Sequence, residues 1–425
     1  MRVHGASTYS SRSLKNKKKI IIDIALPVYG GGSIGRYKGK VVMIKGAALP
    51  GETVEVSIDK EKKDFYAATV TKIIEPSQHR IDPGCSLFGL CGGCHLQHAP
   101  YNIQVKLKEE ILRDTIRRLA KTDLQLSGSI ITDRPWNYRY RAQFKVSGEK
   151  IGFYRENSTD LIDVDNCPLM REDINKSLTK GRVLLKRVNA GEIHISCGET
   201  SVAFIKIAKT GADCDRLASD FLGSGFSGLI IETAGKELLR YGKPYITLNL
   251  EEMKYTVSAI SFFQSHWKLN QSMIGLIKDT LGQINGKRVL DLYSGAGNFS
   301  LPLAGDAEVT AVEDSPYAIE DGRRNLKING IRNYRFINSP AERYRTRERF
   351  DILILDPPRP GLTNKMVKNV LSLPPEQIVY ISCDPATFSR DLKKLSVKYD
   401  IESVRMVDLF PQTFHIETLA FLRLR

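Results

Sequence analysis

The sequence predicts a multidomain chain with a small N-terminal β-barrel, an α+β middle domain carrying a cysteine cluster, and a C-terminal α/β domain of the Rossmann-like kind. Three observations predict it. At 425 residues the chain is too long for one ordinary core. Residues 20–75 read as short β-rich runs punctuated by glycine, "KIIIDIALPVYGGGSIGRYKGKVVMIKGAALPGETVEVSI" and "FYAATVTKII", the pattern of a small barrel. From Gln264 onward, apolar runs alternate with helical stretches, as βαβ units over a parallel sheet do. The expected boundaries are a basic disordered arm over 1–14, the barrel over 15–75, the middle domain over 76–262 and the α/β domain over 263–425.

Along the barrel, lysines and arginines make RNA binding an expectation. The middle region mixes the strands "RYRAQFKV", "SVAFIKIA", "GLIIETA", "YITLNL" and "KYTVSAI" with an amphipathic helix after the cysteine cluster and another near 171–188. Lys plus Arg number 63 against 48 Asp plus Glu, a surplus of 15 that points to a polyanionic partner, most simply nucleic acid. No run of eighteen or more apolar residues is present, so no membrane span is expected. The opening "MRVHGASTYSSRSLKNKKKI" lacks the apolar centre of a secretory signal and reads as an arm near nucleic acid, with an organellar transit peptide as the second reading. Seven cysteines in a chain this long do not make a secreted disulfide framework, and a reducing, cytoplasmic location is expected.

The chemistry concentrates at strand ends. "KRVLDLYSGAGNFSLPLA" ends a strand at Asp291 and turns through Gly295 and Gly297, where backbone can approach a ligand at the carboxyl edge of a sheet. Glu313 ends the next strand, "EVTAVE", placed to accept hydrogen bonds from ribose hydroxyls. Because Asn298, Phe299 and Ser300 follow the second glycine, the dinucleotide pattern is not met. A nucleoside without a pyrophosphate suits the turn better, and S-adenosylmethionine is one. A third strand, "FDILILDPPRPG", ends in Asp356, with Pro357 and Pro358 stiffening the loop beside a substrate base.

Cys383 closes the strand "QIVYIS" at the same level and is followed by the polar turn Asp384-Pro385, so its thiol faces the reaction site. Beside a methyl donor, a thiolate has a definite use: addition at C6 of a pyrimidine makes the ring an enolate whose C5 can attack the methyl group. A base must then remove the C5 proton, and Glu417 and His415 in "FHIETLAFLRLR" are the candidates. Upstream, Cys85, Cys91 and Cys94 form C-x5-C-x2-C, with Cys167 in "DVDNCPLM"; four thiolates suit zinc or an iron–sulfur cluster, and spacing does not choose between them.

"DLYSGAGNFSL", "LDPPRPG", "SCDPATFSRDL" and "HIETLAFL", in that order, resemble the S-adenosylmethionine-dependent RNA uridine-5 methyltransferases of bacterial ribosomal and transfer RNA. The resemblance covers nearly the whole chain, since the N-terminal barrel looks like a TRAM (OB-like) domain. It implies Cys383 as nucleophile and Glu417, rather than His415, as base. It carries S-adenosylmethionine contacts to Gln264 in "SFFQSHW", Tyr293, Asn298, Glu313 and Asp356, and implies a [4Fe-4S] cluster on Cys85, Cys91, Cys94 and Cys167. It further implies a monomer acting on RNA, with 23S ribosomal RNA ahead of transfer RNA because transfer-RNA members of the bacterial family generally lack both cluster and TRAM domain. The alternatives are a cytosine-5 methyltransferase and an RNA-binding protein with a degenerate catalytic domain. Two departures stand out: Ser294 where the family commonly has cysteine, and "QSHWKLN" after Phe263.

Overall fold

The computed structural model describes residues 18–186, 188–209 and 211–425; the expected arm over 1–14 lies outside them. The described residues form two compact units, one ending at Asp82 and including His98–Pro100, the other of Pro83–Gln97 and Tyr101–Arg425.

In the first unit six strands form one sheet in the order 1-5-6-4-3-2 along the chain. The strand Lys19–Asp23 alternates exposed and buried residues, the signature of a sheet with one face on a core. That core gathers Ile20, Ile22, Val42, Ile44, Val54 and Val56. A Cβ on Gly35 would stand 2.6 Å from the carbonyl of Asp23, so only glycine lets the first strand cross this closely over the third. Glu52 is fully buried and is satisfied by the Leu49 N–H at 2.8 Å and by both arms of Arg80 at 2.6 and 2.7 Å.

The second unit holds two large sheets. The first has seven strands, with Arg141–Ser147, Ala190–Cys197 and Ser201–Ile207 at its centre. Helices Glu172–Leu185 and Cys214–Gly223 cover one face, burying Phe144, Ile193, Ile205, Phe221 and Leu229 in a common core. A hairpin, Tyr245–Leu250 with Met253–Ser258, follows.

The other sheet has eight strands in the order Tyr334–Asn338, Glu308–Glu313, Arg288–Leu292, Ile352–Leu355, Gln377–Ser382, Glu417–Leu424, Tyr399–Val407, Ser129–Ile130. The first five run parallel, and Glu417–Leu424 inserts antiparallel beside the fifth. Strand Gln377–Ser382 is buried at every position, because a parallel sheet covered on both faces needs continuous apolar runs rather than alternation. Ser129–Ile130 and helix Tyr101–Leu119, which in sequence belong to the middle region, are built into this layer: the strand pairs with Met406 and Val407, and the helix packs on helix Pro385–Leu395. Among the described residues no helix is long and apolar enough to cross a membrane.

Candidate active site

Five parallel strands present their carboxyl ends along one edge. Their order reverses direction between Arg288–Leu292 and Ile352–Leu355, and open α/β sheets bind ligands in the crevice outside such a switch point. Tyr293 and Asp356 each follow one of the two strands that flank it, and Glu313 ends the next strand out. Cys383 follows the strand on the other side, and the antiparallel strand begins at this edge with Glu417. Ser382 pairs with Thr418, so one step further along the same register Cys383 stands across from Glu417.

The glycine turn is shaped for a ligand. Tyr293 takes φ +66°, and its hydroxyl donates to Glu342 at 2.7 Å. A Cβ on Gly295 would meet nothing within 4 Å, so this turn borders open space; one on Gly297 would lie 2.8 Å from the Tyr334 hydroxyl. Glu313 accepts from the N–H groups of Gly295 and Ser315, both at 2.8 Å, which holds its carboxylate at the turn. Burial, with Asp314 beside it, keeps that carboxyl above the usual range against those two bonds. Asn298 exchanges two amide bonds of 2.8 Å with Asn270 of helix Trp267–Leu281. Gln264 is buried just before that helix. The unusual residues after it have structural work: His266 caps the helix, accepting from Leu269 N–H, and stacks on Tyr138 at 4.8 Å, while Trp267 donates to the Asn249 carbonyl. Asp291 lies beneath the turn with Oδ2 buried and lacking a partner among the described residues. An open turn, a strand-end carboxylate and an orphaned buried acid together fit a nucleoside donor.

Around Cys383 the groups are acidic and buried. Asp384 caps helix Pro385–Leu395 through the N–H groups of Ala386 and Thr387, and Pro385 opens it, which fixes the turn carrying the thiol. Burial, then the charges of Glu417 and Asp356, push the thiol up to about 12, with the Arg359 guanidinium opposing. Burial raises Asp356 to about 7. Glu417 is held well above the carboxylate range by burial first and Asp356 second, and Arg359 and Lys108 pull the other way. His415 is driven down to about 3, by burial and by Arg359 among other cations. Sequence reasoning missed Lys108 and Asp408: Lys108 is fully buried and donates to Asp408 Oδ1 at 2.6 Å and to the Phe410 carbonyl at 3.0 Å. Gln104, one turn earlier, bonds Gln412 in both directions, so one helix face grips the segment leading to Glu417. Two polar side chains on the apolar stripe that includes Ile111 and Leu112 were the available signal.

The four cluster cysteines are thiols, none in a disulfide. Burial and then neighbouring thiols, Cys85 for Cys91 and Cys167 for Cys94, raise Cys91 and Cys94, the latter to about 12. Asn175 anchors Cys167 through its N–H and carbonyl at 3.0 and 3.1 Å. Among the described residues no three His, Cys, Asp or Glu side chains are grouped to hold a single metal ion.

A doubly wound sheet with a glycine turn, an acid on the second strand and a thiol at the fifth defines a nucleoside-dependent transferase. The family model for tRNA (uracil-5-)-methyltransferase matches residues 215–425. An Aquifex aeolicus RNA methyltransferase, itself uncharacterized, is 33% identical over 428 residues, covering 96% of this chain and 99% of its own. A 23S rRNA (uracil(1939)-C(5))-methyltransferase of Shewanella piezotolerans is 30% identical over 436 residues, covering 97% and 98%. The chain belongs to the S-adenosylmethionine-dependent RNA uridine-5 methyltransferases. Its fold is similar to that of the Pyrococcus abyssi tRNA (uracil-54, C5)-methyltransferase in complex with S-adenosyl-L-homocysteine, at TM-score 0.74 and 23% identity, covering 94% of this chain and 99% of that one.

Proposed function

We propose that this chain methylates C5 of one uridine in 23S ribosomal RNA, with Cys383 as nucleophile and Glu417 as base. The observation that carries the reading is the placement of Cys383 across from Glu417, with Asp356 one strand over, at the edge that holds the glycine turn. Gln264, Tyr293, Asn298, Glu313 and Asp356 would hold S-adenosylmethionine, which when bound supplies an electrophilic methyl group. Cys383 adds to C6, the ring electrons move to the C4 carbonyl, and C5 becomes nucleophilic. Once C5 is methylated, Glu417 takes its proton and the thiolate leaves C6, restoring the double bond. Glu417 outranks His415 because burial raises its carboxylate's affinity for a proton, whereas an imidazole driven down to about 3 is a poor acceptor. The resting thiol is protonated, and Arg359 is the neighbouring charge that favours its ionisation.

Ribosomal RNA is favoured over transfer RNA by the near full-length similarity to relatives named for 23S rRNA and by the four cysteines. We assign those cysteines to a [4Fe-4S] cluster that orders the middle region and shapes an RNA surface, and the six-stranded N-terminal sheet to a TRAM-like RNA-binding role. A cytoplasmic monomer fits this work. The test offers purified protein unmethylated 23S rRNA and transfer RNA, with 5-methyluridine mapped in each. Product in transfer RNA alone overturns the substrate assignment. Glu417→Gln should add and methylate but stall before elimination, so a covalent protein–RNA adduct should persist on a denaturing gel. Normal turnover by that variant would remove Glu417 from the mechanism.

A further inference from the structure

Parallel strands are usually joined through a helix, yet residues 341–350, "AERYRTRERF", which link Tyr334–Asn338 to Ile352–Leu355, contain none. Exposure alternates instead. Arg343, Arg345, Arg347 and Arg349 are exposed, while Tyr344, Thr346, Glu348 and Phe350 are half-buried. With Leu290 and Met366 these inner residues line a cavity of about 160 Å³, with Arg345 at its rim. The inner side is bonded down: Glu348 accepts from Arg288 and Arg335, both at 2.6 Å, and the Arg288 guanidinium lies over the Phe350 ring at 5.1 Å. Glu342 is taken by Tyr293. Both acids of the segment therefore point their bonds inward. Among the described residues, none of the four outer arginines is in an ion pair, and Arg345 reaches only the Tyr344 carbonyl.

Arg343 sits in the turn that the Tyr344 N–H closes onto the Pro340 carbonyl; beyond it exposure alternates residue by residue, and alternate residues of an extended chain lie about 6.6 Å apart, so Arg345, Arg347 and Arg349 follow one another at spacings of that order. That is the order of the phosphate spacing along an extended nucleic-acid strand. Each guanidinium fork matches two phosphate oxygens, and an arginine row anchored from beneath loses little freedom when it binds. We propose that this arginine row is a phosphate track for RNA flanking the target nucleotide. The proposal rests on the RNA methyltransferase reading and extends it. The track begins beside Glu342, which is tied to the cofactor turn through Tyr293, and runs from there toward the start of strand Ile352–Leu355, away from the reacting edge.

The test replaces all four arginines by glutamine in the full-length chain and follows binding, without methyl donor, of a long uridine-containing oligoribonucleotide and of a uridine trinucleotide. Affinity for the long RNA should fall roughly tenfold or more at low salt, and its log–log salt slope should shrink by up to about 0.7 for each phosphate no longer neutralised. Trinucleotide binding should not change, and four Arg→Lys replacements should restore most of the slope. An unchanged slope for the glutamine variant overturns the track. So does an equal loss on both RNAs, which would place the effect at the reacting edge or in the fold. Displacement of the long RNA by polyglutamate at matched charge would point to an acidic protein partner and would also overturn it. Because methyl transfer is not measured, failure of the uridine-5 reading would leave these outcomes distinguishable.

Discussion

Asp291 is 1% exposed, and burial, with the charges of Asp356 and Glu313 adding and Ser300 opposing, pushes its carboxyl up to about 8. The folded chain therefore keeps a proton that the unfolded chain releases near the ordinary value of about 3.9. Stability from this group is complete below that value. It is lost as pH rises, by about 1.4 kcal/mol per unit, until the group itself ionises near its raised pKa. Asp291→Asn should remove that slope, so the variant should gain on the parent between pH 5 and 8 in denaturant unfolding without donor. Equal differences at both pH values would sink the account. The strand end, the glycines and the carboxylate at Asp291 were legible because a motif is local. Its isolation was not, since Oδ2 is orphaned by what packs over it from elsewhere in the chain. Cys383 was likewise readable from Asp-Pro after an apolar run, whereas its elevation to about 12 depends on burial first and then on Glu417, which the chain delivers from the neighbouring strand.

At the scale of elements, helix Tyr101–Leu119 shows the same division. Its amphipathic period was plain, but the roles of Gln104 and Lys108 were hidden because Asp408, the partner of Lys108, lies 300 residues away. A lysine with no exposure is tolerable only with a partner, and burial lowers its pKa against the pull of Asp408. Lys108→Met should therefore strand a buried carboxylate and cost about 3–5 kcal/mol. Lys108→Met with Asp408→Leu should recover much of it, because removing both charges also removes both desolvation costs. Denaturant unfolding of the two single variants and the double checks this, and a strictly additive cycle would show that the pair is not coupled. Full recovery of stability without recovery of turnover would further assign the ion pair to setting the path of the segment that delivers Glu417. The parallel strands were readable as apolar runs. The two-residue strand Ser129–Ile130 was not, because so short an edge carries no period and exists only through pairing with Met406 and Val407.

For the molecule as a whole, the cysteines decide how much of the chain depends on an added group. Three sit within ten residues, where spacing alone marks them, whereas Cys167 lies far downstream, with both its backbone groups bonded by Asn175 of helix Glu172–Leu185. If the four carry a cubane, anaerobically prepared protein should be brown and hold about four irons per chain. Cys167→Ser should lose that iron and lower the unfolding temperature, since the segment 85–94 and the seven-stranded sheet would no longer be tied through one group. S-adenosylmethionine binding by this variant should change far less, because Tyr293, Asn298, Glu313 and Asp356 all lie in the eight-stranded layer or its loops, with a core packed from Val289, Ile354 and Val379. Stoichiometric zinc with no iron under anaerobic preparation would refute the cluster. The chemistry proposed at Cys383 would stand in either case, because addition to C6 and removal of the C5 proton require a thiolate and a base and transfer no unpaired electron.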